Sequence, residues 1–238
     1  TFLPPEEMRQ KVGSTDYSAG VLDTHAGHLH PLNYVRGLAK AATKAGTQIF
    51  EMSRVQSIEG GPPCRINTTK SKIMADHVIL AANGYLGELD KDVASRVMPI
   101  NNFIIATEPL DDSACRALIR DGEAVYDSRF VVNYFRISQD NRLLFGGGEN
   151  YTYKFPADIV STVRKPMLKV FPQLADTRID YAWGGTLAIT YNRLPLFEFR
   201  KDGVLNVSGY SGSGIHMATM AGKVAAEAIN GQMARFDV

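Results

Sequence analysis

The stretch VLNVSGYSGSGIHMATMAGKVAAEAI, from Val204 to Ile229, limits how this chain can fold more than any other. Val204 to Ser208 read as a short strand. Gly209, Gly212 and Gly214 follow closely, and Ile215, Met220, Val224, Ala225, Ala228 and Ile229 then recur on a helical period. A strand, a glycine-rich turn and a helix in direct succession belong to layered α/β folds. The glycines permit a tight turn and close approach of backbone to a ligand, and Ser211 and Ser213 add hydroxyls. The helix start offers free N–H groups and a partial positive charge, which suit anionic or electron-rich ligand atoms. The motif is neither G-x-G-x-x-G nor a P-loop. From spacing alone, a merely flexible turn fits as well.

A second apolar run, His77 to Ala82 (HVILAA), ends at Asn83-Gly84. Such a run predicts a strand buried on both faces, as in a parallel sheet. Its end can bring backbone near a nucleotide, although an ordinary turn after a core strand explains it too. Upstream, Pro31 suits a first helical turn, Leu32, Val35, Leu38, Ala39 and Ala42 keep helical spacing, and Gly46 stops the helix. Strands are predicted at 47–52, 55–58, 64–69 and 72–75, with a turn at Gly60 to Pro63. The middle of the chain is strand-rich, at 99–107, 124–127, 130–138 and 142–147. It also has helices at 111–119 and 155–171, the second interrupted by Pro166. Strands at 178–190 and 195–200 lead back to the glycine-rich turn. The pattern is a mixed α/β one, with one domain (19–96 and 182–238) interrupted by an antiparallel-sheet domain (97–181), after a lead-in over 1–18.

Composition removes several classes. Lys plus Arg number 26 against 25 Asp plus Glu, so nothing electrostatic favours nucleic acid or an anionic membrane as partner. No apolar run is long enough to span a bilayer, and no signal peptide is visible. Cys64 and Cys115 form no CxxC or disulfide framework, which suits a reducing, cytoplasmic setting. His25, His28 and His30 are unevenly spaced and lack a Cys or acidic partner, so zinc is not expected. Ser211 lacks the final glycine of a hydrolase elbow. The chain opens at Thr1 rather than Met, and an incomplete sequence is expected on that ground.

Two further segments can carry chemistry. Trp183-Gly184-Gly185-Thr186 fits a wall against a flat ring system, and a β-bulge fits it too. In Val132 to Arg136 and Leu143 to Glu149, alternation puts Tyr134 and Arg136 on one face. Arg136 could clamp a carboxylate in bidentate fashion, or it could snorkel over apolar neighbours.

Taken in order, GHLHPLNYVRGLAKAATKAGTQIFEMSRVQSIE, VILAANGYLGEL, NNFIIATEPL, NYFRIS with RLLFGGGE, AWGGTLAITYNRLP and GYSGSGIHMATMAGKVAAEAI resemble the D-amino-acid-oxidase-like flavoproteins. The resemblance runs from about Ala19 to Gly231, and IIATEPL, RLLFGGGE and YSGSG are most similar to the γ-glutamylputrescine oxidase type. It implies an incomplete FAD/NAD(P)-binding-like domain with an inserted substrate domain. It also implies noncovalent FAD as cofactor and oxidation of the C–N bond of a small-molecule amine, γ-glutamylputrescine-like or amino-acid-like, by hydride transfer.

On that resemblance Val55 lies at the adenine through its backbone. Ala82, Asn83 and Gly84 lie by the ribose and phosphates. Gly184 and Gly185 approach the flavin ring, and Gly212, Ser213, Gly214 and Ile215 face its pyrimidine edge through N–H groups. Tyr134, Arg136, Trp183 and His216 face the substrate. His216 stands where amino-acid-oxidising relatives often have Lys, and Ser213 where His is frequent. No G-x-G-x-x-G follows a strand anywhere in the sequence, so the N-terminal FAD-binding segment is expected to be absent and this stretch alone to hold FAD poorly. A catalytically silent binding or interaction domain on the same scaffold is the alternative.

Overall fold

A computed structural model describes residues 1–152 and 154–235. The expected segment 182–238 therefore ends in three residues, 236–238, outside the described ones. In chain order the elements are β1 (Phe2–Leu3), α1 (Pro5–Lys11), β2 (Gly20–Val21), α2 (Pro31–Lys44), β3 (Val55–Glu59), β4 (Cys64–Thr68), β5 (Lys72–Ala75), β6 (Val78–Leu80), α3 (Lys91–Arg96) and β7 (Val97–Thr107). They continue with α4 (Asp112–Leu118), β8 (Val125–Tyr126), β9 (Tyr134–Ile137), β10 (Leu143–Asn150), α5 (Ile159–Val170), β11 (Ile179–Thr190), β12 (Leu196–Phe199), β13 (Val204–Ser208) and α6 (Gly214–Ile229). The chain divides into two compact units, Thr1–Leu29 with Asn101–Gly185, and His30–Ile100 with Thr186–Val238.

The first unit is built on a sheet of order β11-β7-β10-β9-β8, in which β10 runs antiparallel to β7 and β9. Residues 1–18, read as a lead-in from sequence, pack into this unit. Leu3, Met8 and Val12 are buried in one cluster with Phe103, Phe145, Val163 and Phe171. Few apolar residues mark that lead-in, and only tertiary packing reveals their role. Phe135 lies flat against Phe145 (ring centroids 5.5 Å, interplanar angle 4°) and meets Phe171 edge-on at 5.0 Å. Helix α5 starts four residues later than its apolar pattern suggests, because Asp158 caps it through the N–H of Ser161; Pro166 remains inside it.

Asp127 is the carboxylate on which this unit's β8–β9 connection turns. It accepts from the N–H groups of Asn133 (3.0 Å) and Arg129 (3.2 Å), from Asn133 Nδ2 (3.0 Å), and from the Arg129 guanidinium. Burial pushes its pKa up, but these donors outweigh burial and hold it below the ordinary carboxylate value. A depressed carboxylate contributes stability that is complete above its unfolded pKa and is lost as pH falls through its folded one. The urea midpoint should therefore be flat from neutrality down to about pH 4 and fall below it. Asp127→Asn should make that acid slope shallower; an unchanged slope would remove Asp127 from the cause.

In the second unit β13 lies between β12, antiparallel, and β6, parallel. One side of this sheet packs on α6 through Leu205, Val207, Tyr210, Ala221 and Ala225. A separate antiparallel meander, β3-β4-β5, packs Cys64 and Ile66 with Leu80 and Val204. The run at 77–82 yields only three strand residues. It is not buried on both faces: Leu80 is 5% exposed, but Ile79, pointing to the opposite face, is 43%. Helix α2 forms as its spacing predicts, yet buries no residue, and Leu32, Val35 and Leu38 are exposed. The strand expected at 47–52 is absent from every ladder. Helix α3 escaped the periodicity reading because it is only six residues long; Asp90, which caps it through the N–H of Val93, was its one signal.

Candidate functional site: a helix start and a tyrosine–arginine face

In the second unit all five residues of β13 are buried, and the chain leaves them through a left-handed turn. Gly209, Ser211 and Gly212 have φ of 75°, 50° and 97°. For Ser211 this conformation costs on the order of 1–3 kcal/mol. The serine is held in place: its N–H donates to Ala188 O (3.0 Å), and its Oγ lies 3.3 Å from both N and Oγ1 of Thr190. Ser213, expected to offer its N–H to a ligand, donates it to Tyr210 O (2.9 Å). The N–H groups of Gly212, Gly214, Ile215 and His216 find no acceptor among the described residues. A Cβ on Gly212 or Gly214 would meet nothing within 4 Å, so space lies open before them. Four unengaged donors at the positive end of a sixteen-residue helix are suited to electron-rich heteroatoms.

A second turn reaches the first. Asn83 takes φ of 48°, and its Oδ1 accepts from the N–H of Gly209 at 3.1 Å. Gly84 presses on β11: a Cβ there would fall 2.4 Å from Thr186 O. Tyr85 Oη accepts from Thr186 N–H at 2.9 Å. Of the residues expected to hold nucleotide, Ala82, Asn83 and Gly84 are thus joined to the turn carrying Gly212 to Ile215. Val55 stands at the start of β3, packed near Leu80, without a hydrogen bond to either turn. His216 lies exposed in the first turn of α6.

In the first unit Tyr134 and Arg136 alternate with Phe135, which goes to the core. Tyr134 is paired with Gly146, and a Cβ on that glycine would lie 2.0 Å from the tyrosine Cζ, so the ring crosses a gap that only glycine leaves. The phenol donates to Asn102 Oδ1, and Asn102 Nδ2 donates to Gly148 O at 3.0 Å, which fixes the amide's orientation. Burial pushes the Tyr134 pKa up to about 12, keeping it a neutral hydroxyl at neutral pH.

Arg136 is partly buried, and burial lowers its pKa. Its Nη1 lies 3.4 Å from His28 Nδ1, while His28 Nε2 is 3.0 Å from Gly122 O. With Nε2–H donating to that carbonyl, Nδ1 is left as an acceptor for the guanidinium. No carboxylate pairs with Arg136 among the described residues. Trp183 is 42% exposed on β11. A Cβ on Gly184 would come 2.7 Å from Phe103 Cδ1, which accounts for that glycine by packing; Gly185 follows it, half-buried. Sequence reasoning missed Tyr85, Asn102 and the His28–Arg136 pairing. An aromatic directly after Asn-Gly and the doubled Asn101-Asn102 within an otherwise apolar strand were the available signals.

The family model for DAO, FAD dependent oxidoreductase, matches residues 1–228. The chain is 42% identical over 239 residues to a probable oxidoreductase OrdL of Rhizobium meliloti (strain 1021), covering 100% of this chain and 55% of the relative. It is 37% identical over 237 residues to the gamma-glutamylputrescine oxidoreductase of Escherichia coli (strain K12), covering 99% of this chain and 56% of the relative. Among solved structures, glycine oxidase from Geobacillus kaustophilus superposes with a TM-score of 0.82 at 19% identity, over 95% of this chain and 62% of that one. L-proline dehydrogenase from P. horikoshii superposes with a TM-score of 0.81 at 20% identity, over 96% of this chain and 64% of that one. The chain thus spans little more than half the length of the curated relatives it matches.

Proposed function

The chain belongs to the DAO family of FAD dependent oxidoreductases, and from this premise we propose that the full-length protein oxidises the C–N bond of a small amine bearing a carboxylate, γ-glutamylputrescine-like or amino-acid-like. FAD, bound without a covalent link, supplies the hydride acceptor. The observation that carries the reading is the set of unengaged N–H groups at Gly212, Gly214, Ile215 and His216, open to space at the start of α6. Donors so placed stabilise electron density on a ring edge and need no reorganisation to do so. Arg136, a cation with no carboxylate partner among the described residues, is the group to hold the substrate's carboxylate. Tyr134 has its proton on Asn102, so its oxygen lone pairs are free to accept from the amine and orient it. Trp183 is assigned a place against the substrate, and Val55, Ala82 and Gly84 against the adenosine half of the cofactor. The 238 residues alone are expected to hold FAD poorly, because the sequence has no G-x-G-x-x-G turn after a strand. The working location proposed is the cytoplasm, without nucleic acid or membrane as partner.

The test is a visible absorption spectrum of the full-length protein, followed by anaerobic addition of γ-glutamylputrescine, amino acids and simple secondary amines. A flavin band that bleaches with a carboxylate-bearing amine is the expected result. A band that bleaches with none of them removes the amine assignment, and the absence of any flavin band leaves a silent binding domain.

A further inference from the structure

We propose that Asn83 is a positioning residue: through Gly209 it sets where the free N–H groups at the start of α6 point, and it need not touch the cofactor itself. The inference rests on the flavin reading above. Asn83 sits in the left-handed region, at φ of 48°. Glycine adopts that conformation without a Cβ penalty, so backbone geometry alone does not call for asparagine there. What asparagine adds is Oδ1, which accepts from Gly209 N–H at 3.1 Å. Gly209 is the first residue after β13 and the first of the left-handed positions that lead into α6. Its N–H has no other acceptor among the described residues.

The asparagine can act as an anchor only if its own turn is fixed, and it is. Gly84 abuts Thr186 O so closely that a Cβ would lie 2.4 Å away, and Tyr85 Oη accepts from Thr186 N–H at 2.9 Å. The far side of the glycine-rich turn is held separately, by Ser211 N–H on Ala188 O at 3.0 Å. The turn is therefore held by hydrogen bonds to other elements at Gly209 and Ser211 and by the buried ring of Tyr210 between them, while the donors at Gly212, Gly214 and Ile215 find no acceptor among the described residues. Releasing the first grip leaves the turn on the Tyr210 ring and Ser211 alone, and the glycines at 209, 212 and 214 offer little resistance to reorientation. Donors that pivot are no longer preorganised toward a ligand edge.

Two substitutions in the full-length flavoprotein separate this role from direct contact. Asn83→Gly keeps the left-handed backbone and removes the acceptor. Asn83→Asp keeps an acceptor oxygen and adds a negative charge. Positioning predicts that Asn83→Gly raises the FAD dissociation constant about tenfold, the scale of one lost hydrogen bond, and that Asn83→Asp stays within about threefold of the unchanged protein. Amide exchange at Gly209, measured without flavin, should accelerate in the glycine variant and stay protected in the aspartate variant. Direct contact with the cofactor phosphates predicts the reverse order, with aspartate the worse variant through charge repulsion, and that result overturns the inference. So does a lowered melting temperature with unchanged FAD affinity in both variants, which marks a purely structural role. If the unchanged full-length protein takes up no flavin, the functional reading fails and this inference with it, a result distinct from the other two.

Discussion

Gly146→Ala is expected to expel the Tyr134 ring from its place on β9 and to destabilise the first unit by about 1–3 kcal/mol, the usual range for an overpacked site. The added Cβ would stand 2.0 Å from Cζ and 2.5 Å from the hydroxyl oxygen, well inside van der Waals contact. Either the ring swings out, breaking the bond to Asn102 Oδ1, or β9 and β10 part at the Tyr134–Gly146 pair. Urea unfolding of the two single variants and the double variant with Tyr134→Ala decides between ring and strand as the source. If the ring is the cause, Gly146→Ala should cost close to nothing once Tyr134 is gone, since contacting residues couple strongly. A full cost in that background would place the strain in the strands. On the proposed function, Gly146→Ala should also raise KM for the amine more than it lowers kcat, because Tyr134 orients substrate rather than reacting with it.

Phe135→Ala should be more damaging still, at about 3–5 kcal/mol, the range for removing a buried aromatic. Phe135 is 2% exposed and contacts three rings: Phe145 at 5.5 Å, Phe171 at 5.0 Å and Tyr17 at 6.2 Å. These come from β10, from the end of α5 and from the N-terminal stretch, so the cavity would open where separate parts of the unit meet. Against a typical total of 5–15 kcal/mol, such a loss leaves little margin. Phe130, which is 84% exposed, supplies the control: Phe130→Ala should stay within about 0.5 kcal/mol. Similar urea midpoints for the two variants would contradict this description of the core.

Local signals were read well from sequence and distant ones were not. The stop of α2 near Gly46 and the β9–β10 pair both depend on neighbours within a few residues. The glycines at 209, 212 and 214 were visible as a turn that could face a ligand. The reasons for other glycines were hidden, because Gly84 answers to Thr186 O and Gly184 to Phe103. Asn83 reads as an ordinary Asn-Gly turn until its partner, 126 residues further on, is known. The segment 47–52 failed for a related reason. Ile49 and Phe50 suit a strand, but a strand exists only in a ladder, and they have no ladder partner and lie exposed. Arg136 reads equally as a carboxylate clamp or a snorkelling surface arginine; it is partly buried, and no carboxylate pairs with it among the described residues.

Each compact unit is assembled from two stretches of chain, and this dictates an order of events during synthesis. The first unit needs residues up to Gly185: Ser14 Oγ donates to Val170 O at 2.5 Å across 156 residues, and Leu3 and Met8 join a cluster that ends at Leu174. The second unit needs β13, whose parallel pairing aligns Val204 with Val78. At translation rates of about 5–20 residues per second, Cys64, Ile66 and Leu80 leave the ribosome several seconds before Val204, the β13 residue they pack against. Contacts so distant along the chain also slow folding itself. The interval between emergence and closure is longer for the first unit, because the Ser14–Val170 contact spans more of the chain than the pairing of Val78 with Val204, so its N-terminal stretch is the part that stays unpacked longest during synthesis.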